Sequence, residues 1–200
     1  MLRVGLTGGL ASGKTFVGRT LQELGCLLIR SDELGHQVLE PQGEAYSDTV
    51  RAFGPQIQTA DGLIDRRILA SIVFKDPEKL ALLNSIVHGP VRARTHKLLD
   101  SYERTHPHGI AVVEAAILIE TGSWRDYQKL LLAICSPEQQ VTRAMERDLI
   151  SREEALERMS RQMPLEEKLK YADYIIDTSG SKENTAAQVR AVHESLTGLI

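Results

Sequence analysis

Five short apolar runs punctuate the chain: Leu2-Arg3-Val4-Gly5-Leu6-Thr7, Cys26-Leu27-Leu28-Ile29-Arg30, Ile110-Ala111-Val112-Val113-Glu114, Leu130-Leu131-Leu132-Ala133-Ile134-Cys135 and Tyr174-Ile175-Ile176-Asp177. Each has the length of a strand, and most lack polar alternation, as expected of strands covered on both faces. Between them apolar residues return with helical spacing. Val17, Leu21 and Leu24 recur at i, i+4 and i+7 up to Gly25, an amphipathic helix with a glycine stop. Leu34, Val38 and Leu39 suggest a second helix, and Ala187, Val189, Val192 and Leu196 a closing one. Strands alternating with helices predict an α/β fold: a five-stranded parallel, doubly wound sheet with right-handed crossovers. The carboxyl ends of its strands then lie along one edge, where such sheets bind ligands.

From residue 31 to about 109 helix punctuation replaces strand signals. Pro41-Gln42-Gly43 and Phe53-Gly54-Pro55 end helices, and Asp61-Gly62 marks a turn. Asp65 is placed to cap a helix from Arg66, and Asp76-Pro77 reads as an N-cap followed by proline at the first helical position. His88-Gly89-Pro90 is expected to interrupt that helix and begin another, rich in Arg92, Arg94, His96 and Lys97. This insertion is too long for a simple crossover; it either covers an acceptor substrate or packs on the sheet. Further on, Ser136-Pro137-Glu138-Gln139 and Ser151-Arg152-Glu153-Glu154 are capping boxes.

Composition narrows the class. Two hundred residues with a net charge of −3 give no bulk electrostatic footing for nucleic acid. The segment from Arg143 to Lys170 carries as many acidic as basic residues. The two cysteines, Cys26 and Cys135, read as buried small hydrophobes in a reducing compartment. Met1 leads directly into the first strand and no apolar run approaches a membrane span, so a cytoplasmic protein without membrane association is expected.

The chemistry is concentrated in Gly8-Gly9-Leu10-Ala11-Ser12-Gly13-Lys14-Thr15, which fits G-x-x-x-x-G-K-[ST] between a predicted strand and a predicted helix. The glycines let backbone N–H groups turn inward around an anion, and the helix N-terminus adds partial positive charge. Lys14 reaches the outer phosphates and Thr15 offers a hydroxyl to Mg²⁺. A nucleoside triphosphate ligand follows. Asp32, just past the second strand, either faces the ligand crevice or caps a helix, as Ser31 could equally do. Glu114 ends the third strand, where an acid orients Mg²⁺ or its waters in folds of this kind, although strands ending in acids are common. Arg143 and Arg147 share one helix face, which on charge alone reads as a salt-bridged surface. No guanine-reading Asn-Lys-x-Asp tetrapeptide occurs.

Together these stretches resemble the dephospho-coenzyme A kinase family over nearly the whole chain. Leu6-Thr7-Gly8-Gly9 resembles the opening of its nucleotide loop, and Ser31-Asp32 with Val38-Leu39-Glu40-Pro41-Gln42-Gly43 its acceptor-side motif. Asp61-Gly62-Leu63-Ile64-Asp65-Arg66 and Ile86-Val87-His88 resemble its helical coenzyme-side region. Met145-Glu146-Arg147-Asp148, Gln162-Met163-Pro164-Leu165-Glu166-Glu167-Lys168, Ala172-Asp173 and Ile176-Asp177-Thr178-Ser179-Gly180 resemble its lid and C-terminal signatures. The resemblance implies a P-loop kinase fold that phosphorylates the ribose 3′-hydroxyl of dephospho-coenzyme A with ATP and Mg²⁺, without an obligate protein partner. It implies an embedded acceptor-binding region at about 58–108 and a lid at about 138–168. Asp32 falls at the general-base position, with His88 bordering the acceptor. Gly8 to Thr15, Phe16, Ser179 and Gly180 fall on the nucleotide side, and Thr15 and Glu114 on the Mg²⁺ side. Arg143 and Arg147 fall on the lid over the phosphates.

The chain departs from the family pattern where Arg30 and Glu114 each stand for Asp, Ala11 for Gly, and Ala116 for Pro. Gly89-Pro90 replaces a proline directly after the histidine. Ala11 is expected to be tolerated because that loop position need not have positive φ. Arg30 leaves Asp32 as the acid of that corner. Another small-molecule kinase would share loop and lid and differ in the acceptor region; a non-catalytic scaffold would not need Lys14, Thr15, Asp32 and the lid arginines together.

Overall fold

The computed structural model describes residues 1–200. The chain divides into two compact units, Met1–Arg30 with Ser101–Ile200, and Ser31–Asp100. The first is built on strands β1 (Leu2–Gly8), β2 (Leu27–Arg30), β3 (Ile110–Glu114), β4 (Lys129–Ile134) and β5 (Tyr174–Asp177). They form one sheet in the order β2-β3-β1-β4-β5, every pair parallel. Burial on both faces explains the unbroken apolar runs: β3 is buried along its whole length, and β1 at every position but Arg3. On one face Leu2, Val4, Leu6, Val112, Leu131, Ala133 and Ile176 pack with Val17 and Leu21 of α1 (Lys14–Glu23) and Val189 and Leu196 of the C-terminal helix (Lys182–Thr197). Leu6 is fully buried, and truncating it to Ala should cost about 2–5 kcal/mol. On the other side Ala115, Leu118, Ile119 and Leu130 gather Trp124, Tyr127 and Met163.

The second unit begins directly after β2. It holds α2 (Ser31–Gln37), α3 (Tyr46–Phe53), α4 (Arg66–Val73) and most of α5 (Pro77–Thr105). Phe53, Ile57, Ile64, Leu69 and Val73 form its own core. The expected caps are present: Asp65 accepts from the N–H groups of Arg67 and Ile68, and Asp76 from those of Glu78 and Lys79. The expected break at His88-Gly89-Pro90 is absent, because α5 runs unbroken with Pro90 inside it. A proline disfavours helical φ/ψ in the preceding residue through clashes with its N–H and its Cβ, and Gly89 lacks the second. The missing N–H of Pro90 costs one helical bond but does not turn the chain.

The first unit continues through α6 (Pro137–Asp148), α7 (Arg152–Ser160) and α8 (Leu165–Leu169), and α9 (Lys182–Thr197) closes the chain. Both predicted capping boxes form, at Ser136 with Gln139 and at Ser151 with Glu154. No helix is long and apolar enough to cross a membrane.

Candidate active site

The strands of the first unit converge at their carboxyl ends, where Arg30 registers with Glu114, Leu6 with Glu114 and Gly8 with Ala133. From Gly8 the chain leaves the sheet in the loop that ends at α1. A Cβ on Gly8 would stand 2.4 Å from the Ala133 carbonyl oxygen and 2.5 Å from Ser12 Oγ, so only glycine lets the loop fold back this tightly. Gly13, the N-cap of α1, has φ 86°, and a Cβ there would also strike Thr178 at 2.9 Å. With no side chain capping it, the start of α1 is presented to the loop. Phe16 N–H donates to the Gly13 carbonyl and closes the first turn.

Ala11 adopts φ 50°, so the expectation that this position need not have positive φ is corrected. The left-handed conformation costs an L-residue about 1–2 kcal/mol relative to glycine. The packing that offsets it is local: Leu10 and Ala11 lie against Val141 and Ala144 of α6 and Ala155 of α7.

Lys14 Nζ donates to the carbonyls of Gly8 at 3.0 Å and Gly9 at 2.7 Å, so the ammonium lies across the loop. Thr15 Oγ1 donates to Glu114 Oε1 at 3.0 Å. Glu114 is buried, and its other oxygen lies 3.6 Å from Arg30 Nε. A buried carboxylate is tolerated when charge and hydrogen bonds compensate it, and here a cation and a hydroxyl do so. Gly18 on α1 leaves room for this carboxylate, since a Cβ there would lie 3.1 Å from Oε2.

Four further residues were given no role by the sequence, and three of them touch the loop. Gln162 Oε1 accepts the Leu10 N–H at 2.8 Å, tying the segment after α7 to the loop tip. Gln140 lies beside Gly9. Thr178, just past β5, donates through Oγ1 to the Ser12 carbonyl at 2.9 Å and accepts from Arg143 Nη1 at 3.0 Å, while its own carbonyl accepts from Arg143 Nη2 at 2.7 Å. Lys168 is buried and pairs with Glu120 at 2.8 Å, and Glu120 also accepts the Met163 N–H. Gln162 and Lys168 do fall in the Gln-Met-Pro-Leu-Glu-Glu-Lys stretch and Thr178 in Ile176-Asp177-Thr178-Ser179-Gly180; what was missing was any local pattern giving their partners.

The remaining candidates distribute unevenly. Arg143 is drawn to the loop through Thr178, whereas Arg147, one turn on, is exposed and pairs bidentately with Asp148, whose carboxyl it holds below its ordinary pKa. Ser179 and Gly180 follow β5. There the Ser179 carbonyl accepts from Gln139 Nε2, and the Ser179 hydroxyl and N–H lower the pKa of Asp177. Asp32 and His88 belong to the other unit. Asp32 is exposed in the first turn of α2, a helix that begins at Ser31. His88 lies on α5, where desolvation lowers its pKa and favours the neutral imidazole. That unit also contains a cavity of about 480 Å³ lined by Leu39, Glu40, Pro41, Leu63, Ile64 and Arg66.

The family model for dephospho-CoA kinase matches residues 2–184. A dephospho-CoA kinase of Aquifex aeolicus is 39% identical over 197 residues, covering 98% of this chain and 98% of that protein. A dephospho-CoA kinase domain-containing protein of Danio rerio is 41% identical over 197 residues, covering 98% of this chain and 86% of that protein. Among solved structures, a Thermus thermophilus protein superposes with a TM-score of 0.83 at 33% identity, covering 98% of this chain and 97% of the other.

Proposed function

The chain belongs to the dephospho-CoA kinase family, and from that membership we propose how its own residues transfer a phosphoryl group from ATP to the ribose 3′-hydroxyl of dephospho-CoA, completing coenzyme A synthesis. The observation that carries the proposal is the phosphate cradle. Its glycines fold the loop back on Ser12 and Thr178, and Lys14 Nζ is already held at the loop by two carbonyls. On nucleotide binding the ammonium exchanges those carbonyls for the outer phosphate oxygens, and the loop N–H groups together with the end of α1 neutralise charge as the leaving oxygen separates. Ser179 and Gly180 line the nucleoside end, and Phe16 fixes the first turn behind the phosphates.

Thr15 and Glu114 fit a magnesium ion: a hydroxyl and a carboxylate 3.0 Å apart form an oxygen donor set suited to a hard cation that keeps most of its waters. Held by Thr15 and Glu114, Mg²⁺ would supply neutralisation of the negative charge that develops in phosphoryl transfer. Asp32, two residues beyond β2, accepts the proton of the ribose hydroxyl and orients it in line. Arg143 and Arg147, in a lid spanning about 138–168, stabilise the transferring group and exclude water. The acceptor is read by the helical region at about 58–108 together with Leu39–Pro41, around the 480 Å³ cavity and with His88 nearby. The reaction belongs in the cytoplasm, in keeping with two buried free thiols, and requires neither nucleic acid nor a protein partner.

The test is ADP release and product mass with Mg-ATP and dephospho-CoA, wild type against Lys14→Ala. The variant should lose most turnover and bind ATP more weakly, because it removes the ammonium that is held at the loop carbonyls. A variant with wild-type kcat would remove the phosphate-cradle assignment.

A further inference from the structure

Thr178 stands at a junction that the reaction chemistry does not require and the geometry singles out. It is buried, and its N–H donates to the Ile134 carbonyl at 2.8 Å, so its backbone is fixed by the end of the β4–β5 ladder. Its hydroxyl lies beside the Cys135 thiol and between two partners of opposite kind. The Arg143 guanidinium can only donate and the Ser12 carbonyl can only accept, so the single hydroxyl proton must point to Ser12. The Thr178 carbonyl takes a second guanidinium N–H of Arg143. Two parallel bonds fix the plane of a guanidinium, not merely its distance. They leave Nε–H and one N–H on each terminal nitrogen directed away from Thr178. On its other side Thr178 packs on Gly13 at distances that leave no room for a Cβ.

We infer that Thr178 is a positioning residue: it holds the Arg143 guanidinium in a fixed plane beside the phosphate loop and, through Ser12, locks that plane to the loop itself. The inference rests on Arg143 serving the transferring phosphoryl group, as proposed above. Arginine held in this way is oriented before the substrate arrives, so the term affected is the chemical step and not nucleotide affinity. Thr178 touches no reacting atom; it acts through Arg143.

The experiment is steady-state kinetics with Mg-ATP and dephospho-CoA, with calorimetric ATP binding, on Thr178→Val, Thr178→Ser, Arg143→Ala, Arg143→Lys and the double variant Thr178→Val/Arg143→Ala. Thr178→Val, which keeps shape and loses the hydroxyl, should lower kcat about 10–100-fold, the scale of a misplaced transition-state group, with ATP affinity within about threefold of wild type. Thr178→Ser restores the hydroxyl and should recover most of that loss. The double variant should be no slower than Arg143→Ala alone, since each change removes the same interaction. Arg143→Lys, which leaves the buried hydroxyl intact but cannot span both oxygens, should behave like Thr178→Val, and it carries the test if Thr178→Val does not fold. Loss of kcat in Arg143→Ala with wild-type kcat in Thr178→Val or Arg143→Lys would overturn the positioning role while leaving Arg143 in place. Wild-type kcat in Arg143→Ala would instead overturn the role given to the arginine.

Discussion

Asp32 and Arg147 are residues whose surroundings do little for the fold, which makes their roles separable from stability. Asp32 is exposed in the first turn of α2. Asp32→Asn keeps the shape and removes the basic oxygen, so kcat should fall by roughly 10²–10⁴ while ATP affinity and the melting temperature stay near wild type. A variant that melts far lower with normal kcat would mark Asp32 as a helix-start residue. Arg147 is likewise exposed and pairs with the neighbouring Asp148. An exposed ion pair contributes on the order of 0–1 kcal/mol, so Arg147→Ala should leave thermal melts almost unmoved while kcat drops; kinetics and melts on the same preparation distinguish this from a structural arginine. At this scale the candidate site was only partly legible. The loop from Gly8 to Thr15 is contiguous, so the sequence displays it whole. Thr178 meets Ser12 across 166 positions, and no local pattern records such a contact. Ala11 shows the opposite failure: its left-handed backbone is imposed by the loop and tolerated through packing on α6 and α7.

Among elements, the stretch from Gln162 through α8 is tied down at both ends, by an ion pair at Lys168 and a hydrogen bond at Gln162. Lys168 is 1% exposed and reaches Glu120 after β3, while Gln162 at the other end of the segment bonds the loop tip. Removing Lys168 leaves the half-buried Glu120 without this cation and empties a buried site, so Lys168→Ala should cost about 2–3 kcal/mol, more than a surface pair and less than a fully buried one. Lys170, two positions on and exposed, pairs with Glu167 one turn away, and Lys170→Ala should change stability by less than about 0.5 kcal/mol. Urea titrations of the two variants test the contrast. Equal effects would mean that Lys168 pairs no more tightly than a surface lysine. The strands were legible because burial on both faces removes polar alternation and leaves bare apolar runs. The caps were legible because Ser136, Ser151, Asp65 and Asp76 act within three residues of themselves. The unbroken α5 was not: proline is a strong stop signal, and its suspension depends on the absent Cβ of Gly89.

At the scale of the whole molecule, the unit Ser31–Asp100 has its own core and its own cavity. The motifs lining that cavity, Leu39–Pro41 and Leu63–Arg66, lie far apart in the chain, so the sequence names them without showing that they meet. A cavity of about 480 Å³ is larger than a bare hydroxyl acceptor uses and falls in the range that encloses a drug-sized ligand. Dephospho-CoA combines an adenosine end, a pyrophosphate and a long pantetheine arm, and the contacts of the remote arm can be spent on positioning the 3′-hydroxyl. Truncating the acceptor should therefore lower kcat as well as raise KM. With Mg-ATP held constant, dephospho-CoA should turn over efficiently, and adenosine and AMP poorly. The product should carry its new phosphate on the 3′ oxygen, as phosphorus NMR establishes. Filling the cavity from its exposed wall by Leu63→Trp should raise KM for dephospho-CoA and leave ATP binding unchanged. Equal kcat/KM for adenosine and dephospho-CoA would show that this unit does not read the long acceptor, whatever the phosphate loop does.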